Sequence, residues 1–259
     1  MALYYTRKKE YIEGQYHQNK PPIDGVCGGG MNSKAYHFMQ AVDGEIIDEL
    51  TGINGVVLVD PLALTQAHQS DVLNRLDQYA ESPATKILWA EEQEIIRWKH
   101  AMRQEICDWS DAICCSNLYL QNILREYDIE AQVLYTPVDH TIYKPARQKK
   151  RKIICVGQAS YAKGTDKIIE LYSMLPDDIE KVFIGNAALW GAVMRQADVG
   201  SEKGLSEVCT HYPALTHDEV ARHMADAWAI VFLSQYDVGS LAFIEAGMSG
   251  CWALSLIHI

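Results

Sequence analysis

Short apolar runs, each ended by a turn residue, alternate in this chain with segments whose apolar residues fall three and four apart. The first series runs through GVVLVDP (55–61), KILWA (86–90), DAICCS (111–116) and AQVLYTPVD (131–139). Runs this short, with no polar alternation, suit strands buried on both faces, the environment of a parallel sheet. The segments between them read as helices. Ile95, Trp98, Met102, Ile106 and Trp109 keep helical spacing, as do Leu120, Ile123, Leu124 and Tyr127. The alternation then restarts with KIICVG (152–157), a helix over TDKIIELYSML (165–175) opened by Thr165 or Asp166, and KVFIG (181–185). Thr216 and Glu219 have the spacing of a capping box, and AIVFLS (229–234) is a further buried strand. Two such series predict an α/β protein of two doubly wound, Rossmann-like domains, over residues 1–145 and 146–259. The first 50 residues show no clear period, although Gly28, Gly29 and Gly30 precede a helix-like stretch.

Composition narrows the function. The formal net charge of −11 over 259 residues argues against nucleic-acid binding, which needs a basic face to displace counterions. One run departs from it: KPARQKKRK (144–152) places six basic residues in nine. It is read as a solvated linker between the domains, with peripheral contact to an anionic membrane face as the alternative. The seven cysteines have no C-x-x-C spacing, which fits a reduced, cytoplasmic setting. Cys209, His211, His217 and His223 lack the spacing of a metal site, because the two helical histidines are six apart. No metal is expected.

In SQYDVGSLAFIEAGMSG (234–250), Asp237 and Glu245 are separated by seven residues across a turn and the first turns of a helix. An ionised carboxylate is a poor phosphate ligand without a bridging metal, but it accepts hydrogen bonds from two hydroxyls. Phosphate is better served by VGQASYAKG (156–164), where Lys163 and Gly164 precede a helix whose start offers unpaired N–H groups. Gly239, Ser240 and Leu241 open the next helix similarly. Both segments follow strand ends and are predicted to meet at one crevice. A ligand with a diphosphate and hydroxyl-bearing rings, a nucleotide diphosphate sugar, satisfies both.

These residues resemble the donor domain of GT-B fold glycosyltransferases, in particular the family-4 retaining group, also known as glycosyl transferases group 1. Gly157, Lys163-Gly164, Asp237-x7-Glu245, Ala246 and Gly250 stand at that family's spacings, and SNLYLQNILREYDIEAQVLYTPVDHTIYKPA (116–146) is similar to the segment closing its acceptor domain. The resemblance implies transfer of a hexosyl unit from a nucleotide-sugar donor to a carbohydrate, lipid-linked or other acceptor, with retention, no metal and no cofactor. It assigns Glu245 to the ribose hydroxyls and Asp237 to those of the donor sugar. Lys163 goes to the departing diphosphate, with Gly157, Gln158, Gly239, Ser240 and Leu241 around it.

Two substitutions depart from the pattern. Gln158 stands where the family has arginine, and Asp237 where it has glutamate. The resemblance also implies further strands beyond CWALSLIHI, so the second domain is expected to be incomplete, its last residues (LSLIHI) foreign and an apolar sheet edge unpaired. The alternatives are a non-catalytic nucleotide-sugar-binding protein and another GT-B enzyme, such as a nucleotide-sugar epimerase.

Overall fold

A computed structural model describes residues 3–6, 38, 41–47, 52–59, 78–90, 100–160, 163–185, 204–213, 215–234 and 240–255. The chain divides into two compact units, and from Val138 onward it belongs to the second.

The described part of the first unit contains strands β1 (Leu3–Thr6), β2 (Glu45–Ile47), β3 (Val56–Val59), β4 (Thr85–Ala90), β5 (Ala112–Cys115) and β6 (Gln132–Val133). They form one sheet in the order β2-β1-β3-β4-β5-β6, parallel throughout. Val57, Leu58, Val59, Leu88, Trp89 and Ala90 are all buried, although neighbours along a strand face opposite sides. Both faces of the sheet are therefore covered, as the unbroken apolar runs require. Cys114 and Cys115, adjacent on β5, are likewise both buried.

Helix α1 (His100–Trp109) buries Ile106. Helix α2 (Leu118–Arg125) is capped by Asn117, whose side chain accepts the Leu120 N–H, and buries Leu120 and Leu124. Tyr127, expected on that buried face, lies past the helix end and is exposed beneath the Arg103 guanidinium. Two strands come from the stretch that shows no period, because strands of three or four residues are too short to display one.

The second unit contains β7 (Lys150–Val156), α3 (Thr165–Met174), β8 (Glu180–Ile184), α4 (Leu205–Val208), β9 (Thr210–Tyr212), α5 (His217–Asp226), β10 (Ala227–Phe232), α6 (Leu241–Met248) and β11 (Trp252–Ser255). Its parallel sheet has the order β11-β10-β7-β8-β9. The chain starts in the middle, builds outward to β9, then crosses to the other side of β7. One face packs Ile168, Ile169 and Tyr172 of α3 against Cys155, Phe183 and Val231. The other packs Val220 and Met224 of α5, with Ala246 of α6, against Ile154, Val182 and Ile230.

The capping box at α5 is present as its spacing predicts: the Thr216 side chain accepts the Glu219 N–H, and the Glu219 carboxylate accepts the Thr216 N–H. The start of α3 differs. Gly164 is its N-cap in the left-handed region (φ +68°), and the Thr165 hydroxyl accepts the Ser160 N–H instead of closing the helix.

The basic run is not a solvated linker. Lys150, Arg151 and Lys152 are the first residues of β7. Lys150 and the buried Lys152 both pair with Asp226 at the end of α5, and Arg151 pairs with Asp178. Lys149 donates to the carbonyls of Ala225 (2.8 Å) and Ser249 (2.6 Å), placing one ammonium at the carboxyl ends of α5 and α6. That is where the helix dipole favours a cation. Four of the six cations are thus committed within the unit.

At the other end of the sequence, Leu254 and Ser255, from the stretch expected to be foreign, pair in β11 with Val231 and Phe232 of β10. The six described cysteines are free thiols.

Candidate functional site

The order β11-β10-β7-β8-β9 creates a switch point between β7 and β10, whose crossovers leave in opposite directions. In open α/β sheets the crevice at such a point, beyond the carboxyl ends of the strands, is where ligands bind. The loop after β7 carries Gly157, Gln158, Lys163 and Gly164; the loop after β10 leads to Ser240 and Leu241 at the start of α6. The segments expected to converge therefore leave the two strands that flank the switch point.

Close backbone contacts fix the first loop. A Cβ on Gly164 would fall 2.0 Å from the Leu233 carbonyl oxygen, so the start of α3 sits directly on the end of β10. A Cβ on Gly185 (φ +151°) would fall 1.8 Å from the Gly157 oxygen, and the Gly157 N–H donates to the Ile184 carbonyl at 2.9 Å. Only glycine permits these approaches.

Within the loop, the Lys163 and Thr165 N–H groups both donate to the Ser160 carbonyl at 3.2 Å. Those amides are spent internally. An anion here would be met by the Lys163 side chain and by later amides of the helix. Gln158 is exposed at the end of β7, and Ala159 beside it is buried.

On the opposite side Ser240 is the N-cap of α6, and its hydroxyl makes no capping bond. Glu245 lies one turn further along and is only 5 % exposed. Its carboxyl is pushed up to about 7, chiefly by burial; a hydrogen bond with the Tyr143 side chain opposes the shift. Tyr143 is 1 % exposed and lies 3.4 Å from Nδ1 of His217, the first residue of α5. Asp237 and Gly239, the remaining predicted site residues, lie outside the described residues, as do Gly28–Gly30.

Sequence reasoning missed Tyr143 as a site residue. TPVDHTIYKPA reads as the closing segment of the first domain, yet Tyr143 packs into the core of the second unit with Ile154, Val220 and Phe232. One signal was available: a tyrosine in a buried setting needs a partner for its hydroxyl.

Tyr212 belongs to edge strand β9, with its ring 4.9 Å from that of His223. His211 Nε2 contacts the Gly185 carbonyl at 2.8 Å, and Cys209 donates to the Leu205 carbonyl. Among the described residues no three His, Cys, Asp or Glu side chains converge as metal ligands.

Residues 142–256 match the family model described as Glycosyl transferases group 1. Over this stretch the chain is similar to the glycosyl transferases of group 1. Solved structures extend the likeness in fold to nearly the whole chain. An α-glucosyltransferase solved with UDP and a 13-mer DNA superposes with a TM-score of 0.68 at 9% identity, covering 98% of this chain and 78% of its own. Anabaena Alr3699/HepE, solved with UDP-glucose, gives 0.65 at 12% identity, with 98% and 80% coverage. Sucrose-phosphate synthase from Thermosynechococcus elongatus gives 0.62 at 10% identity, with 98% and 81% coverage. The fold is thus of the GT-B class, with two Rossmann-like domains. No curated protein matches the chain by sequence.

Proposed function

We propose that this protein transfers a hexosyl unit from a nucleotide diphosphate sugar to an acceptor hydroxyl. The observation that carries the reading is the switch point of the second unit, where the loop bearing Lys163 leaves β7 and the segment leading to Glu245 leaves β10, in a stretch matching the group 1 glycosyl transferases. UDP and UDP-glucose bound to two of the structural neighbours support the same class of donor.

In this reading Glu245 accepts the ribose hydroxyls, for which it must be ionised. Asp237 accepts hydroxyls of the donor sugar and orients it. The bond between the anomeric carbon and the diphosphate oxygen breaks, and the acceptor oxygen bonds to that carbon and releases its proton. Negative charge grows on the departing diphosphate, and the Lys163 ammonium and the helix starts at Thr165 and Leu241 stabilise it, aided by backbone at Gly157 and Gly239. Gln158 offers a neutral amide where an arginine would add charge. The reaction proceeds with retention and without a metal, in the cytoplasm or at the inner face of a membrane.

The test is incubation of the full chain with UDP-glucose, GDP-mannose and ADP-glucose, measuring nucleoside diphosphate release with and without added acceptor sugars. Acceptor-dependent release that Lys163→Ala abolishes supports transfer, whereas release indifferent to acceptor points to hydrolysis. Gln158 favours one other reading, a binding protein without turnover. Its signature is saturable donor binding with no release.

A further inference from the structure

The donor reading leaves open how a carboxylate as deeply buried as Glu245 is held ready for ribose hydroxyls. Resting on that reading, we infer that Tyr143 is the positioning residue for Glu245: its hydroxyl, backed by His217, fixes the carboxylate in its ionised, hydroxyl-accepting orientation.

Tyr143 is itself held rigidly. Asp139 starts its segment by accepting from the Thr141 N–H at 2.7 Å and the Thr141 hydroxyl at 2.6 Å. The Tyr143 N–H donates to the Asp139 carbonyl at 3.2 Å, and the Ala146 N–H ties the far end to the Ala225 carbonyl at 2.9 Å. The ring belongs to the buried cluster that includes Ile154, Val220, Met224, Phe232 and Ala246. A phenylalanine would fill this space equally well. The hydroxyl is what tyrosine adds, and a buried hydroxyl is costly unless paired.

Its partners are Glu245 and Nδ1 of His217. The hydroxyl has a single proton. Given to the carboxylate, that proton stabilises the ionised form, and the phenolic oxygen must then accept from His217 Nδ1–H. The pairing thus selects the Nδ1–H tautomer of His217, or its charged form.

Few other charges lie nearby. Glu245 is the sole ionisable side chain of α6, and β10 and β11 have none. On α5, Asp218 and Arg222 line a separate open cleft beside Thr141 and Ile142. Also on α5, Glu219 is occupied by the capping box, His223 stacks on Tyr212 and Asp226 pairs with Lys150 and Lys152. The segment before β7 adds Asp139, His140, Lys144, Arg147 and Lys149. Of these, Asp139 is bound to Thr141 and Lys149 to two helix ends. Among the described residues, burial and the Tyr143 hydroxyl are what act on Glu245.

The test uses the full chain with 13C-labelled glutamate, following the Glu245 carboxyl by NMR through a pH titration, with Glu245→Gln assigning the signal. Tyr143→Phe keeps the ring and removes only the hydroxyl; the titration midpoint is expected to rise by about one pH unit. His217→Ala, which leaves ring and carboxylate in place, moves it in the same direction by less. Calorimetry with UDP-glucose, GDP-mannose and ADP-glucose gives the second readout. For whichever sugar binds, Tyr143→Phe weakens Kd about fivefold at pH 7. The deficit closes as alkali ionises Glu245, which a merely structural defect would not do. An unmoved midpoint in Tyr143→Phe overturns the inference. So does a moved midpoint with unchanged Kd, which would leave the hydroxyl a purely structural partner. A moved midpoint in Tyr143→Phe, together with a wild-type chain that binds none of the three sugars, overturns the donor reading, and the ribose role with it, while the Tyr143–Glu245 coupling stands.

Discussion

At the scale of single residues, the chemistry of the second unit rests on Glu245 and Lys163. Burial raises the Glu245 carboxyl from its ordinary value to about 7, so the folded chain holds that proton more tightly than the unfolded chain does. The associated stability is fully present below the ordinary carboxylate range and is lost as pH rises through about 7. Ionised Glu245 costs the fold about 3 kcal/mol. Glu245→Gln is therefore expected to be more stable than wild type in mildly alkaline buffer and to lose the pH dependence over that interval, read from urea melts. The same variant should lose donor binding, since the amide replaces two charged acceptor oxygens with one neutral acceptor and a donor group; retained affinity would remove Glu245 from the site. Lys163→Ala should lower turnover about 100-fold with a smaller change in donor affinity, measured as nucleoside diphosphate release, because its charge matters most as the diphosphate departs.

At the scale of elements, glycine and charge decide how the pieces meet. A Cβ at position 164 would have to occupy space within 2.0 Å of the Leu233 carbonyl oxygen, at a φ that L side chains rarely adopt. Gly164→Ala should cost about 2 kcal/mol or more in urea unfolding and reduce donor binding, because the loop bearing Lys163 would lift off the end of β10. At the opposite pole Lys152 is buried against Asp226. Asp226→Ala leaves that ammonium unpaired and should destabilise the chain by about 3 kcal/mol, whereas Lys150→Ala, at an exposed pair, should change little. A calorimetric melt of each variant separates the two cases.

At the scale of the whole molecule, a ligand bound only by the folded chain stabilises it by mass action. A donor sugar at 100 times its Kd should add about 2.7 kcal/mol, seen as a rise in Tm that Glu245→Gln abolishes. Among the described residues β11 is the outermost strand on its side of the second sheet, and Trp252 is 80% and Leu254 53% exposed on it. Such an edge favours strand-to-strand association. Concentration-dependent aggregation, followed by light scattering, is expected to fall in Trp252→Lys/Leu254→Lys. Unchanged scattering would clear β11 of that role.

The sequence alone determined what depends on neighbours along the chain. Unbroken apolar runs specified the buried strands β3, β4, β5, β7, β8 and β10, because a parallel strand must satisfy two covered faces. The Thr216–Glu219 box, a local hydrogen-bond pattern, was legible from spacing. So were the helix after β7 that follows Lys163 and the helix after β10 that carries Glu245.

The short strands β1, β2 and β9 left no period to read. Tertiary structure decided what depends on distant partners. The basic run reads as solvated because its counter-charges, Asp178 and Asp226, and the helix carbonyls facing Lys149 arrive from far along the chain. Tyr143 is silent for the same reason: only folding brings its hydroxyl to Glu245 and His217, and only burial gives that hydrogen bond its effect on the carboxylate.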